Sequence, residues 1–401
     1  MGILRIYLAI SVLAAHSGVN VLPWPMHSSV EAVQIFFLIS GFYMAMISSK
    51  YGSALEFYAS RFLRIFIPYY TILAIVLATS VATGLAFGQW LDLGPLIQFS
   101  TQTNGLAGFV FAVISNFILF FQDWVMFLEH DAGRALSFTT DFQNSGYPLY
   151  HYLLIQQAWT IGTELTFYLL VPWLSKLRSA HLILIAAASL ALRIYTYQVL
   201  QLTNDPFTYR FFPFELMLFV VGMLAYRAYA ASLAGRAGFK ISNLFQYAIY
   251  VAVIVLFLHL AQQVPLTLHR SLFHRSVARE YSFLVTYAGW AAVIPVLYHL
   301  TRNMRVDRFI GELSYPVYLL HVVVIQIVDL VLVQLSLTSR LLGVISAVLT
   351  VSLAALLYVR IFRPFEVKRP QFAKELAQRW SARWKKIETR PEHSLGANPR
   401  E

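Results

Sequence analysis

The sequence contains no cysteine, which excludes disulfides, thiol nucleophiles and cysteine-ligated metals while leaving the compartment open. Charge is scarce as well: 12% of the 401 residues are Asp, Glu, Lys or Arg, against 58% hydrophobic. No long polar stretch occurs before about Arg363, so a separate soluble domain has no place to sit. Apolar runs of about 20 residues recur instead from end to end, each long enough to cross the hydrocarbon layer as a helix. The chain is therefore expected to be an all-α, polytopic membrane bundle. Its formal net charge of +11 invites a nucleic-acid partner, but Lys and Arg gather at the ends of apolar runs and form no single stripe. Positive-inside topology accounts for them.

Ten spans are expected, near residues 3–22, 30–49, 66–87, 155–174, 181–200, 210–229, 244–262, 281–300, 310–335 and 340–361. The first connection, through Pro23, Trp24 and Pro25, carries no Lys or Arg and reads as outside. The turns with Lys50, Arg61 and Arg64, with Lys176 and Arg178, with Arg227, Arg236 and Lys240, and with Arg302, Arg305 and Arg308 read as cytoplasmic. Both termini then lie in the cytoplasm. The first segment resembles a secretory signal, yet the alternation of loops requires it to span. Segment 106–127 is apolar enough to cross, but counting it would reverse every later loop, so it reads as a re-entrant or outer-surface helix. The loop holding His269, Arg270, His274, Arg275 and Arg279 falls outside despite its charge; it either meets an anionic ligand or lipid or is a tolerated exception. Residues 364–401 form a basic tail that either lies on an anionic membrane surface or is solvated. No internal repeat is evident, which weakens an inverted-repeat transporter.

Ionisable residues inside apolar runs carry the functional signal, because burying them in lipid is costly. Arg5 and His16 are eleven residues apart, about three helical turns, so they share a face and lie about 16 Å apart along the axis. Glu164 falls roughly 13 Å below the expected start of its span, and His321 about 16 Å above the start of its own. His16, Glu164 and His321 thus reach a similar depth. A carboxylate beside an imidazole raises its basicity and fixes its tautomer, so a His and Glu pair can take a proton from an alcohol. The alternative for each group is a structural bond between helices. Zinc held by the two histidines and the glutamate has no local ligand motif such as H-E-x-x-H behind it, and no metal is expected. Arg61 and Arg64, three apart, either anchor the topology or grip phosphates with two forks on one face. Gly41 and Gly222 suit close helix packing.

Taken in order, these segments resemble the acyltransferase 3 family of prokaryotic membrane acyltransferases. The resemblance runs from Arg5 to about Pro364. It rests on Arg5 and His16, on FFLISGF, on Arg61 and Arg64 before Pro68, on AWTIGTELTFYLLVP with Trp159, Thr160, Glu164 and Tyr168, on FPFELMLFVVGML and on LSYPVYLLH with Ser314, Tyr315 and His321. It implies transfer of an acyl group, most often acetyl, from cytosolic acyl-CoA (acetyl-CoA) to a hydroxyl of an extracytoplasmic carbohydrate or glycolipid, such as a surface polysaccharide or a lipopolysaccharide antigen. It also implies a location in the cytoplasmic membrane. His16 and Glu164 are then the catalytic pair, and Arg5, Arg61 and Arg64 meet the donor. Trp159, Tyr168, Ser314, Tyr315 and His321 support them. One departure stands out: relatives often place a glutamate before the arginine-proline that ends the last span, where this chain has Phe362, although Glu366 follows closely. No SGNH-type hydrolase domain fits after residue 364. The competing reading from another class is a proton-coupled transporter or flippase using the buried His and Glu as a relay.

Overall fold

A computed structural model describes residues 1–19, 21–22, 26–100, 106–130, 136–233, 275–337 and 341–388. The expected span 244–262, His269, Arg270 and His274, and the end of the tail lie outside the described residues, as do the side chains of Arg275 and Arg279.

Helices α1 (Gly2–Ser17), α2 (Ser29–Ile47) and α3 (Ala54–Phe87) come first. Each boundary has a local cause. Gly18 closes α1 in the left-handed region at φ 65°, which glycine adopts without Cβ strain. Ser28 and Glu31 cap α2 reciprocally, satisfying two of its first free amides. Ser53 accepts from the Glu56 amide at 3.1 Å to open α3 twelve residues before the expected start, so Arg61 and Arg64 lie inside a helix. Next come the short α4 (Gly94–Ser100) and α5 (Leu106–Ile118). Thirteen residues rise about 20 Å, and the chain then breaks at Leu119 and Phe121, both at positive φ. Segment 106–127 is therefore no single crossing helix. A two-stranded antiparallel ribbon follows, β1 (Leu128–His130) with β2 (Leu136–Phe138), pairing Glu129 with Ser137.

The second half comprises α6 (Trp159–Leu174), α7 (Ser179–Gln198), α8 (Phe212–Leu233), α9 (Arg275–Thr301), α10 (Arg305–Gln334), α11 (Leu342–Leu357) and α12 (Arg363–Glu388). Among the described residues seven helices are long and apolar enough to cross a membrane, and two more apolar helices are shorter. The protein is thus an all-α multi-pass membrane protein. The basic tail does not begin at a break: one π turn, Tyr358–Phe362, joins α11 to α12. Helix α12 packs along α3 with Ala373 and Ala377 buried.

Helix α1 packs against α10 and α2, and α2 against α8. The α2–α8 crossing is close because two glycines meet at it. A Cβ on Gly41 would stand 1.9 Å from the Phe219 carbonyl oxygen, and one on Gly222 2.1 Å from that of Leu38. A polar knot ties four helices in the core: Gln34 donates to both oxygens of Glu215 at 3.1 Å, Arg193 pairs with Glu215, and Tyr287 donates to Gln34 at 2.5 Å. Buried in this way, bonds of this kind hold helices in one register.

Candidate active site

Among the described residues two cavities stand out between the helices, and their chemistry is opposite. The larger, about 560 Å³, is basic: Arg5, Lys50, Arg61, Arg64, Arg302, Arg308 and Arg369 line it against Glu164, Asp307 and Glu312. The smaller, about 290 Å³, is lined by Phe142, Tyr150, Trp159 and Tyr209, by the amides Gln143, Gln156 and Gln157, and by His16 and Arg210. Among the described residues no carboxylate lines this second cavity.

In the basic cavity, Arg61 is 6% exposed, donates to the Tyr51 hydroxyl at 2.7 Å and leaves its Nε without a partner. Arg64, three residues on, is held on both forks, by Glu312 at 2.9 Å and Glu366 at 3.2 Å. Glu366 thus supplies, one helical turn later, the carboxylate that Phe362 lacks. It also pairs with Arg369 at 3.1 Å, whose buried Nε has no partner. Arg5 makes no side-chain hydrogen bond or ion pair among the described residues, and it lies against Gly311. Ser314 donates to the Gly311 carbonyl at 2.8 Å, and Tyr315 to that of Ile65 at 3.1 Å, so both brace the wall.

Glu164 belongs to this cavity and not to His16. It accepts from Ser40 and from Tyr168, each at 2.5 Å. The expected imidazole–carboxylate pair is therefore corrected: His16 lines the aromatic cavity, and its partner is His321, Nδ1 to Nε2 at 2.9 Å, with the rings stacked at 4.9 Å. The physical reason is that equal depth does not make two side chains neighbours: Glu164 meets Ser40 of α2, while His16 of α1 meets His321 of α10. Gln156–Ala158 is a 3-10 turn, and α6 begins only at Trp159, which places Glu164 about 8 Å into the helix instead of about 13 Å. His321, on an α10 that starts five residues early, lies correspondingly farther from its helix start.

The hydrogen bonds order the two rings. Nδ1 of His321 contacts the Tyr318 carbonyl at 2.6 Å, and a carbonyl only accepts, so that nitrogen carries its hydrogen. With both rings neutral, Nε2 of His321 is an acceptor and His16 donates from Nδ1, leaving Nε2 of His16 with the lone pair. His16 is exposed on the cavity wall, while His321 is fully buried. The arrangement is an oriented imidazole on the wall of a polar, aromatic chamber. Among the described residues no group of three or more His, Asp or Glu is placed to hold a metal.

Arg210 was not visible as a site residue in the sequence. It stacks over Trp159 and Tyr209, each at 4.5 Å to the ring centroid, and its Nε donates to both oxygens of Asp205 at 2.9 Å. Burial, opposed by this guanidinium, raises the Asp205 carboxyl above its ordinary range. Trp159 and Tyr209 meet edge to face at 5.3 Å.

The acyltransferase 3 family model, described as an acyltransferase domain, matches residues 1–359. The chain belongs to the acyltransferase 3 family. The match takes in both histidines, Glu164 and most of both cavity walls, and it ends before Arg369, which lines the basic cavity from α12, and before Glu366, which pairs with Arg64. This acyltransferase matches no curated protein and no solved structure.

Proposed function

We propose that this acyltransferase moves an acyl group, acetyl by preference, from cytosolic acyl-CoA to a hydroxyl of a carbohydrate or glycolipid outside the cytoplasmic membrane, for example a surface polysaccharide or a lipopolysaccharide antigen. In this reading ten helices span the membrane, segment 106–127 stays on the outer side, and both termini are cytoplasmic. The excess of Lys and Arg around the basic cavity supports a cytoplasmic opening.

One observation carries the reading. A basic cavity suited to a nucleotide and an aromatic, amide-rich cavity suited to a sugar abut at Val33 and Tyr318, with an ordered imidazole on the sugar side. Arg5, Arg61 and Arg369 offer donors to the diphosphate, while Arg64 is already committed to its carboxylates and shapes the wall. Glu164 holds Ser40 and Tyr168 at the inner end of the donor cavity. The acceptor ring stacks on Trp159 and Tyr209 and takes hydrogen bonds from the glutamines, the usual way a protein holds a sugar's apolar face and polar rim.

The reaction follows from these positions. Nε2 of His16 takes the proton of the acceptor hydroxyl as its oxygen attacks the thioester carbonyl. The new C–O bond forms, the C–S bond breaks, and the proton returns from His16 to the departing CoA thiolate. His321 keeps the base in the productive tautomer throughout. Purified His16→Ala protein should lose transfer by roughly 10²–10⁴-fold; full transfer by that variant removes the base. Mass spectrometry of surface glycans from cells with and without the gene should show one acyl increment lost. Unchanged glycans with altered export would point to transport instead.

A further inference from the structure

Among the described residues, Val33 and Tyr318 line both cavities. Of the two, Tyr318 is latched. Its hydroxyl donates to the Gln157 carbonyl at 3.1 Å and accepts from the Thr160 hydroxyl at 3.1 Å, which ties the ring to the turn that opens α6. Phe36 closes edge-on at 6.4 Å between ring centroids, and only 8% of Tyr318 is exposed. The same residue's carbonyl orients His321. Ser40 and Glu164 line the basic cavity with Tyr318, and His16 and Trp159 line the aromatic one with it.

That position creates a problem for any thioester enzyme. A base that can activate a sugar hydroxyl can also activate water, and the aromatic cavity is open to it. We propose that Tyr318 is the residue that decides between them: in its latched position it separates a thioester in the basic cavity from His16, and an occupied acceptor site releases it. An acceptor hydroxyl beside Gln157 and Trp159 competes for the carbonyl that holds the phenol. The inference rests on the transfer reaction proposed above, and it concerns which nucleophile completes that reaction. When the latch fails, water takes the acceptor's place. His16 removes its proton, a C–O bond forms to the acyl carbon, the C–S bond breaks, and CoA thiol and the free acid leave.

The hydrolysis arm of the test needs no acceptor, and a parallel arm follows transfer to glycan. The full-length protein in lipid nanodiscs is given acetyl-CoA alone, and free thiol and acetate are followed for wild type, Tyr318→Phe, Tyr318→Ala and Val33→Ala. Tyr318→Phe keeps the ring and loses the latch, so acceptor-independent hydrolysis should rise roughly 2- to 12-fold, the range one ordinary neutral hydrogen bond is worth. Tyr318→Ala, which removes the wall, should rise further, and Val33→Ala should rise if the alanine variant of Tyr318 does not fold. Adding His16→Ala to each should abolish the gain. A merely structural tyrosine predicts hydrolysis and transfer falling together; the partition predicts hydrolysis rising while transfer to glycan falls. Variants that still bind CoA yet hydrolyse it no faster than wild type overturn the proposal, as does a gain that survives His16→Ala. A wild-type protein with no affinity for CoA would instead remove the parent reading, so the two failures are distinct.

Discussion

Replacing His321 by alanine separates positioning from proton transfer, because His321 is fully buried and reaches the proposed chemistry only through His16. The perturbation removes one acceptor, 2.9 Å from Nδ1 of His16, and leaves the base in place. In the ground state that bond is neutral, but in the transition state His16 is becoming an imidazolium. A hydrogen bond to a charged group is worth about 1.5–3 kcal/mol, so kcat should fall roughly 10- to 150-fold. Loss of His16 itself should cost more, roughly 10²–10⁴-fold. His321→Gln, whose side-chain carbonyl can reach the place of Nε2, should recover part of the loss. The double variant should be no slower than His16→Ala alone, since an orienting group has nothing left to orient. The assay is direct: with no cysteine in the chain, a thiol reagent reports only released CoA. Wild-type kcat in His321→Ala, or a double variant slowed by the product of the two single effects, refutes the relay.

Three further outcomes follow from the geometry. Arg369→Ala should raise KM for acyl-CoA by roughly 10- to 150-fold, the value of a charged hydrogen bond, and leave KM for S-acylpantetheine, which lacks the phosphates, unchanged; equal effects on both donors exclude phosphate contact. Arg193→Met should lower stability by about 3–5 kcal/mol, because it strands Glu215 in the core, and thermal unfolding in detergent reads the loss. Acidification should weaken the Asp205–Arg210 pair before it weakens an exposed one, since burial has raised that carboxyl. Asp205 then binds its proton more tightly folded than unfolded, so its ionised form costs stability as pH rises through the folded value. The acceptor KM should accordingly rise as pH falls in wild type and stay flat in Asp205→Asn.

Apolar runs made the helices legible, and small polar signals made some boundaries so: Ser28 with Glu31 opens α2 where the capping rule puts it. His16 and His321 were findable because each interrupts an apolar run. Their mutual bond was not, because a matched depth does not say which helices face each other, and the sequence offered His16 two partners at that depth, Glu164 and His321. Glu215 and Arg193 carry the same signal, an ionisable group inside an apolar run, and could have been found by it. Arg210 and Tyr318 could not. One looks like a loop cation and the other like one aromatic among many, and only the fold gives them neighbours at the start of α6, Trp159 beneath Arg210 and Thr160 beside Tyr318.

The exchange of partners also makes physical sense. A carboxylate beside His16 would have to stay ionised on a cavity wall where, among the described residues, one guanidinium is offered and is already paired with Asp205. Placed instead among Arg5, Arg61 and Arg64, Glu164 sits where positive charge offsets its burial. A neutral imidazole can orient the base without bringing a second charge into the apolar middle of the bundle, and its own tautomer is fixed by a backbone carbonyl that cannot ionise. The cost is a weaker pull on the developing imidazolium than a carboxylate would exert. His321→Glu is therefore expected to impair folding more than His321→Gln does. Wherever such protein can be recovered, its transfer rate per folded molecule should match or exceed that of the glutamine variant. A lower rate would mean that His321 does more than accept one hydrogen bond.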